Sequence, residues 1–223
     1  DVYKRQVLRR DGYSKLPKDN RWGTFPGISA GWVLSRENFM ESCSNVLSYA
    51  KIRASYGANG NVSGVLDANG NVVTGLDYYT VQGSYGIMKD KDGKIVPNYN
   101  GKVPLMINDL PNPTMRWEKS YTFETGFDIG FLNNKYILNF TYYNRHTQDK
   151  FAEITLPSHS GVSSFLSNNG EVQNQGMELE LTANVLRTKD WKFTVSMNTA
   201  YNKNKIISLP YLSLIHISEP TRP

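Results

Sequence analysis

The stretch GFDIGFLNNKYILNFTYY, residues 126–143, restricts the fold more than any other part of the chain. Phe127, Ile129 and Phe131 are odd-numbered, whereas Tyr136, Leu138, Phe140 and Tyr142 are even-numbered. Asp128, Gly130, Asn139 and Thr141 lie between them. A period of two sends alternate side chains to opposite faces of an extended strand, so each run has one apolar face and one polar face. Asn133-Asn134 predicts a two-residue hairpin turn, because Asn tolerates positive φ. The parity switch across that turn keeps both apolar sets on the same face of the hairpin.

The pattern recurs. Ile28, Ala30, Trp32 and Leu34 alternate with small residues, and Ile52, Ala54 and Tyr56 alternate with Lys51, Arg53 and Ser55. Met177, Leu179, Leu181, Ala183 and Val185 alternate with Glu178, Glu180, Thr182 and Asn184. Phe193, Val195, Met197, Thr199 and Tyr201 alternate with Thr194, Ser196, Asn198 and Ala200. With a short run near Val7 to Arg10, seven strands are expected. Several reach about 10 residues, above the usual mode of about 5–6. The expected connections are 11–24, 35–47, a very long 57–116, the Asn133-Asn134 turn, 148–175 and the Thr188-Lys189-Asp190 turn. Longer and shorter connections alternate, which puts all the longer loops at one end of the sheet.

The expected fold class is therefore all-β: an antiparallel meander of long strands forming an open segment of a large transmembrane β-barrel, with short turns on one side and long loops on the other. Aromatic residues near strand ends fit interfacial girdles, with Trp32, Phe131, Tyr136 and Trp191 towards the short turns and Trp117, Tyr142, Tyr143 and Tyr201 towards the other end. A soluble β-sandwich also alternates. Strand length, and charges at mid-strand on the polar face (Lys51, Arg53, Glu124, Asp128, Glu178, Glu180), favour the barrel.

Composition narrows the function. The 223 residues contain 20% charged and 39% hydrophobic residues, and no apolar run is long enough for a transmembrane helix. The net charge of +5 is scattered and no nucleic-acid-binding module occurs, so no nucleic-acid partner is expected. Cys43 is the single cysteine, which leaves neither a disulfide framework nor a metal-site spacing. His146 lies near a strand end, and His159 sits beside Ser158 and Ser160 with Glu153 nearby in sequence. No nucleophile motif accompanies them, so no catalytic residues and no enzyme activity are expected. DANGN (67–71) and DKDGK (90–94) lack the alternating acids and terminal Glu of a calcium loop and read as hairpin turns. GANGNVSG (57–64) lacks the Lys-Ser/Thr of a phosphate loop, so no cofactor or metal is expected.

The two ends look foreign. Codons GAT GTG TAT AAG AGA CAG encode Asp1 to Gln6, and their reverse complement, CTG TCT CTT ATA CAC ATC, encodes Leu212 to Ile217. One DNA segment read in both orientations accounts for both ends. It resembles a sequencing-library transposase adapter, whose continuation fits Ser218 to Arg222. Residues 1–6 and 212–223 are expected to be adapter-derived rather than native, leaving 7–211 as part of a longer natural protein.

Residues 9–40, RRDGYSKLPKDNRWGTFPGISAGWVLSRENFM, resemble a segment of SusC/RagA-type TonB-dependent outer-membrane receptors. The matching residues are Asp11, Gly12 and Ser14, then Lys18 to Pro26, then Ser29, Gly31 and Trp32. The resemblance continues through LSYAKIRASYGANGN (47–61), NPTMRWEKSYTFETGFDIGFLNNK (112–135), NQGMELELTANV (174–185) and WKFTVSMNTAYNKNKI (191–206). It implies a bacterial outer-membrane barrel of about 22 strands closed around a plug. It further implies import of glycans or peptides with a SusD-like lipoprotein lid, energised by the TonB complex through segments outside this chain. A passive porin and a soluble carbohydrate-binding β-domain are the alternatives.

On the barrel reading, Phe123, Phe127, Ile129, Leu138, Phe140, Leu179, Leu181, Val195 and Met197 are expected to face outer-membrane lipid. Glu124, Asp128, Asn139, Glu178, Glu180 and Asn198 are expected to face the lumen. Tyr78, Tyr79, Tyr85 and Tyr99, in the long loop, are candidates to stack on a glycan or peptide substrate.

Overall fold

The structure, a computed structural model, describes residues 1–66, 72–76, 78–96, 100, 102–162 and 164–209. Its strands are β1 (Val2–Gly12), β2 (Trp22–Val33), β3 (Leu47–Asn61), β4 (Val65–Leu66), β5 (Val72–Thr74), β6 (Ser84–Ile87), β7 (Leu105–Asp109), β8 (Glu118–Phe131), β9 (Tyr136–Thr155), β10 (Ser164–Arg187) and β11 (Lys192–Ser208). A short helix, α1, spans Tyr78–Gln82. Seven strands form one sheet in the order β1-β2-β3-β8-β9-β10-β11, with every described pairing antiparallel. The strands of this sheet follow one another in chain order, with β4–β7 lying between β3 and β8, so the sheet is the expected meander. The pairs β4–β5 and β6–β7 form two small hairpins inside the long connection between β3 and β8.

The register places the two parity classes on two faces. Phe127 opposes Phe140 and Ile129 opposes Leu138, and these in turn oppose Leu179 and Leu181 on β10. Leu181 then opposes Met197, and Ala183 opposes Val195. The Phe127 and Phe140 rings stack with centroids 5.1 Å apart. On the opposite face Asp128 meets Asn139, Asn139 meets Glu180, and Glu180 meets Asn198. A slip of one residue at any pairing would exchange every side chain beyond it, and no register shift interrupts the pairing of β8 with β9 or that of β10 with either neighbour from Val172 to Ala183.

Several strands are longer than the alternation marks. β9 and β10 reach 20 and 24 residues, so their connection shrinks from the expected 148–175 to 156–163. The added segments, such as NRHTQDK (144–150) and SNNGEVQNQ (167–175), carry polar residues on both faces. They pair through backbone, which leaves no apolar period to read. The long connection is 62–117 rather than 57–116, because GANGN (57–61) completes β3. The Asn133-Asn134 turn is also wider than expected. Phe131 opposes Tyr136, which leaves residues 132–135 as the turn. Leu132, Asn133 and Asn134 all take positive φ, at 50°, 56° and 59°. Arg187 opposes Lys192, so the other tight turn is 188–191, closed by the Thr188 amide donating to the Trp191 carbonyl (2.8 Å). DKDGK is a hairpin turn as expected: the Asp90 amide donates to Lys94 O at 2.8 Å, and Gly93 takes φ 79°. DANGN lies outside the described residues.

The buried core does not lie on the apolar face. Leu16, Phe25, Leu76, Met115, Trp117, Phe151 and Leu166 form it, at the end of the sheet where the longer connections gather. Phe25 shares its face of β2 with Gly27, Ser29 and Gly31, and Gly31 opposes Arg53. The loop core therefore folds against the polar face.

Candidate functional site

The site consists of the polar face and the loop-built rim above it. Arg53 is its central cation. Its Nη1 donates to Glu124 Oε1 (2.9 Å), its Nη2 donates to Thr141 Oγ1 (2.5 Å), and its Nε lies 3.5 Å from Asp128 Oδ1. The geometry follows from the register. Arg53 opposes Gly126, Gly126 opposes Thr141, and Glu124 and Asp128 flank Gly126 on the same face. A Cβ at position 126 would lie 3.2 Å from Arg53 Nη2, so glycine lets the guanidinium cross β8 close to the backbone.

Tyr143 repeats the arrangement one strand on. It opposes Gly176, which opposes Asn202, and the Tyr143 hydroxyl donates to Asn202 Oδ1 (2.6 Å). A Cβ at Gly176 would lie 2.8 Å from that hydroxyl. Tyr143 therefore lies along the polar face at mid-strand rather than in an aromatic girdle. Its odd number, shared with Asn139 and Thr141, is the sequence signal for this placement. Arg53, Thr122, Glu124, Thr141, Tyr143, Arg145, Asn174, Glu178, Asn202 and Asn204 line a concavity of about 660 Å³ on this face. Glu178 and Glu180 are exposed, and Glu180 accepts a weak bond from Asn139 (3.4 Å).

The rim joins motifs that are distant in sequence. Asn20 Nδ2 donates to the Met115 carbonyl (3.0 Å), and the Trp117 indole donates to the Arg21 carbonyl (3.2 Å). Phe25 packs edge-on to Trp117, with centroids 5.5 Å apart. Trp117 is thus a core residue of the rim rather than a girdle residue. The two stretches KDNRWGTFP (18–26) and NPTMRWE (112–118) clasp each other. Asn112 caps its own turn by accepting from the Thr114 amide (3.1 Å), and its Nδ2 reaches the Leu166 carbonyl (2.9 Å). Asn168 bonds both the amide and the carbonyl of Arg116, at 2.9 Å each. Arg116 donates to Asp149 (2.6 Å), and this bond pushes its already high pKa further up, so the guanidinium stays charged.

Glu118 is 3% exposed at the base of this clasp. It accepts from Asn61 Nδ2 (2.9 Å) and from the Phe151 amide (2.7 Å), with Lys150 Nζ 3.8 Å away. A buried carboxylate needs that much compensation. No alternating pattern singles out Asn61, Asn112, Glu118 or Asn168, and sequence reasoning missed them as a set.

The loop tyrosines take separate positions. Tyr79 on α1 is 60% exposed and Tyr85 on β6 is 74% exposed. Tyr78 begins α1, and Tyr99 lies outside the described residues. Glu153 accepts a bond from Ser164, while His146 lies 2.6 Å from Glu171. Among the described residues no group of acidic, His and Cys side chains could hold a metal ion.

An open antiparallel sheet of long strands, with one apolar face, one charged face and a loop-built rim, defines a segment of a large β-barrel. Residues 8–214 match the family model described as TonB dependent receptor-like, beta-barrel, and the chain belongs to that family. Within it the chain is of the SusC/RagA type. TonB-dependent receptor P3 of Formosa agariphila is 33% identical over 92% of this chain and 19% of that protein. TonB-dependent receptor SusC of Bacteroides thetaiotaomicron is 32% identical over 91% of this chain and 19% of that protein. Among solved structures, the RagAB peptide importer in its open-open state aligns over 94% of this chain and 21% of the matched chain, with a TM-score of 0.76 and 26% identity. The chain thus spans about a fifth of the length of the relatives it matches.

Proposed function

We propose that the chain is part of the wall of an outer-membrane transporter that imports large nutrients, glycans or peptides, with a SusD-like lipoprotein lid and energy from the TonB complex. The observation that carries this reading is the division of the sheet into two faces. Leu8, Ile28, Trp32, Ile52, Tyr56, Phe123, Leu181, Val195 and Met197 share one face and are 37–74% exposed, an apolar expanse that water does not favour. Lipid does favour it, so Phe123, Phe127, Ile129, Leu138, Phe140, Leu179, Leu181, Val195 and Met197 face the bilayer. Glu124, Asp128, Asn139, Glu178, Glu180 and Asn198 then face the lumen. The strand lengths of 14–24 residues across β8–β11 fit, since about 3.3 Å per residue carries them well past the ~25 Å apolar band. Strand ends beyond that band are wet on both faces, which accounts for the lost alternation in 144–150 and 167–175.

Within residues 1–6, Val2 opposes Trp32 on the apolar face, but Lys4 and Gln6, opposite Ala30 and Ile28, put polar side chains on that face, which supports an adapter origin for this segment. Residues 212–223 lie outside the described residues.

The test uses the full-length receptor in planar bilayers and in cells. The expected result is a closed barrel without steady conductance, nutrient uptake lost when TonB is deleted, and a lipoprotein that co-purifies in stoichiometric amount. Steady open-channel conductance with TonB-independent uptake would replace this reading by a passive porin.

A further inference from the structure

We propose that the concavity around Tyr143 is a subsite for a neutral saccharide, on the lumen wall that the proposed function assigns to this face. Three observations carry it. First, Tyr143 lies along the wall across Gly176, tethered by its hydroxyl to Asn202, so its ring forms part of the concavity floor rather than standing free in the bore. A sugar ring has one carbon-rich face that gains by covering an aromatic ring whose polar end is already satisfied. Second, the remaining lining is polar: Thr122, Asn174, Asn202 and Asn204 stand beside Glu178, Glu124 and the two arginines. Amides, hydroxyls and carboxylates supply both donors and acceptors, which is what a polyol displays. No Leu, Ile, Val or Met lines the concavity, so the Tyr143 ring is its main apolar surface, and the amides, hydroxyls and carboxylates around that ring match the hydroxyls of a polyol more fully than the apolar side chains of a peptide. Third, the charges balance. Arg53 and Arg145 offset Glu124 and Glu178, and Arg53 is already engaged by Glu124, Asp128 and Thr141. A balanced lining carries no net field to select an anion or a cation. The volume of about 660 Å³ lies within the usual range for a small-molecule pocket of about 300–1,000 Å³.

The experiment uses the full-length receptor in detergent, titrated by calorimetry with maltohexaose, xylohexaose, an inulin oligomer and a Gly-Ser-Ala peptide of matched length. At least one saccharide should bind, and the peptide should not. Tyr143→Ala should weaken that saccharide about tenfold, the usual scale for removing a central aromatic contact. Tyr143→Phe, which keeps the ring and loses only the tether, should stay within about threefold. Circular dichroism identical to the parent shows that each variant is folded. A parallel arm in a Cys43→Ser background labels Glu178→Cys with a membrane-impermeant maleimide. Labelling together with saccharide binding unchanged by Tyr143→Ala, with peptide binding alone, or with no binding, overturns the saccharide subsite and leaves the lumen assignment standing. Failure to label overturns the lumen assignment, and the subsite with it.

Discussion

Glu118 shows how much depends on single side chains at the rim. Its carboxylate is 3% exposed and holds Asn61 at the end of β3 and the Phe151 amide within β9, so one residue on β8 is bonded to both neighbouring strands. Removing it leaves a buried amide donor without its acceptor. Glu118→Ala should cost the full-length receptor about 2–3 kcal/mol, the scale of hydrogen bonds to a charged group plus an unsatisfied donor. Glu118→Gln keeps one acceptor and should lose about half of that. Denaturant titration in detergent measures both, and a Glu118→Ala loss no larger than that of Glu118→Gln would contradict the stapling role. Gly126 illustrates the opposite case, a residue needed for what it lacks. Gly126→Ala would press a methyl group against Arg53 and the Phe140 carbonyl. The tighter clash is with that backbone carbonyl, so the β8–β9 pairing would have to shift, while the Arg53 guanidinium would have to give by only a few tenths of an ångström.

At the scale of elements, the turn of residues 132–135 is the most demanding piece of backbone. Three successive left-handed residues cost little for Asn but about 1–2 kcal/mol for a residue with a bulky Cβ. Asn134→Val should therefore destabilise the β8–β9 hairpin by about that amount, while Asn134→Gly should be tolerated. Hydrogen exchange at Phe131 and Tyr136 is the readout, and equal protection in the two variants would show that the turn does not hold the hairpin. The width of this turn was only half legible. Asn133-Asn134 announced positive φ, but Leu132 gave no such signal, because its conformation is imposed by the Phe131–Tyr136 register. The strands show the same limit. Alternation marked six of the seven strands of the sheet and separated its apolar from its polar face, while β1 showed only a short run near Val7 to Arg10 although it spans Val2–Gly12. It was blind to the ends of β9 and β10, where neighbours such as Asn144 and Arg145 or Gln173 and Asn174 are polar on both faces. It was equally blind to the rim, where Asn20, Asn112, Glu118 and Asn168 act through backbone partners that no period encodes.

At the scale of the molecule, both sheet edges are open. β1 and β11 each have one neighbour, and every residue of β11 is exposed. An apolar face together with two unpaired edges is a template for association. The chain on its own should aggregate or require detergent, as sedimentation in the presence and absence of micelles would reveal. A monodisperse monomer with a cooperative melt in plain buffer would contradict the barrel assignment.

Leu179 and Glu180 are adjacent residues on opposite faces of β10, so together they report which face meets lipid. In the full-length receptor refolded into lipid vesicles against a denaturant series, Leu179→Arg should cost about 2–4 kcal/mol, the scale for arginine on a barrel's lipid face near the midplane. Glu180→Arg should leave stability nearly unchanged, because water in the lumen solvates either charge. Equal losses for the two variants, or a larger loss for Glu180→Arg, would contradict the assignment of both faces.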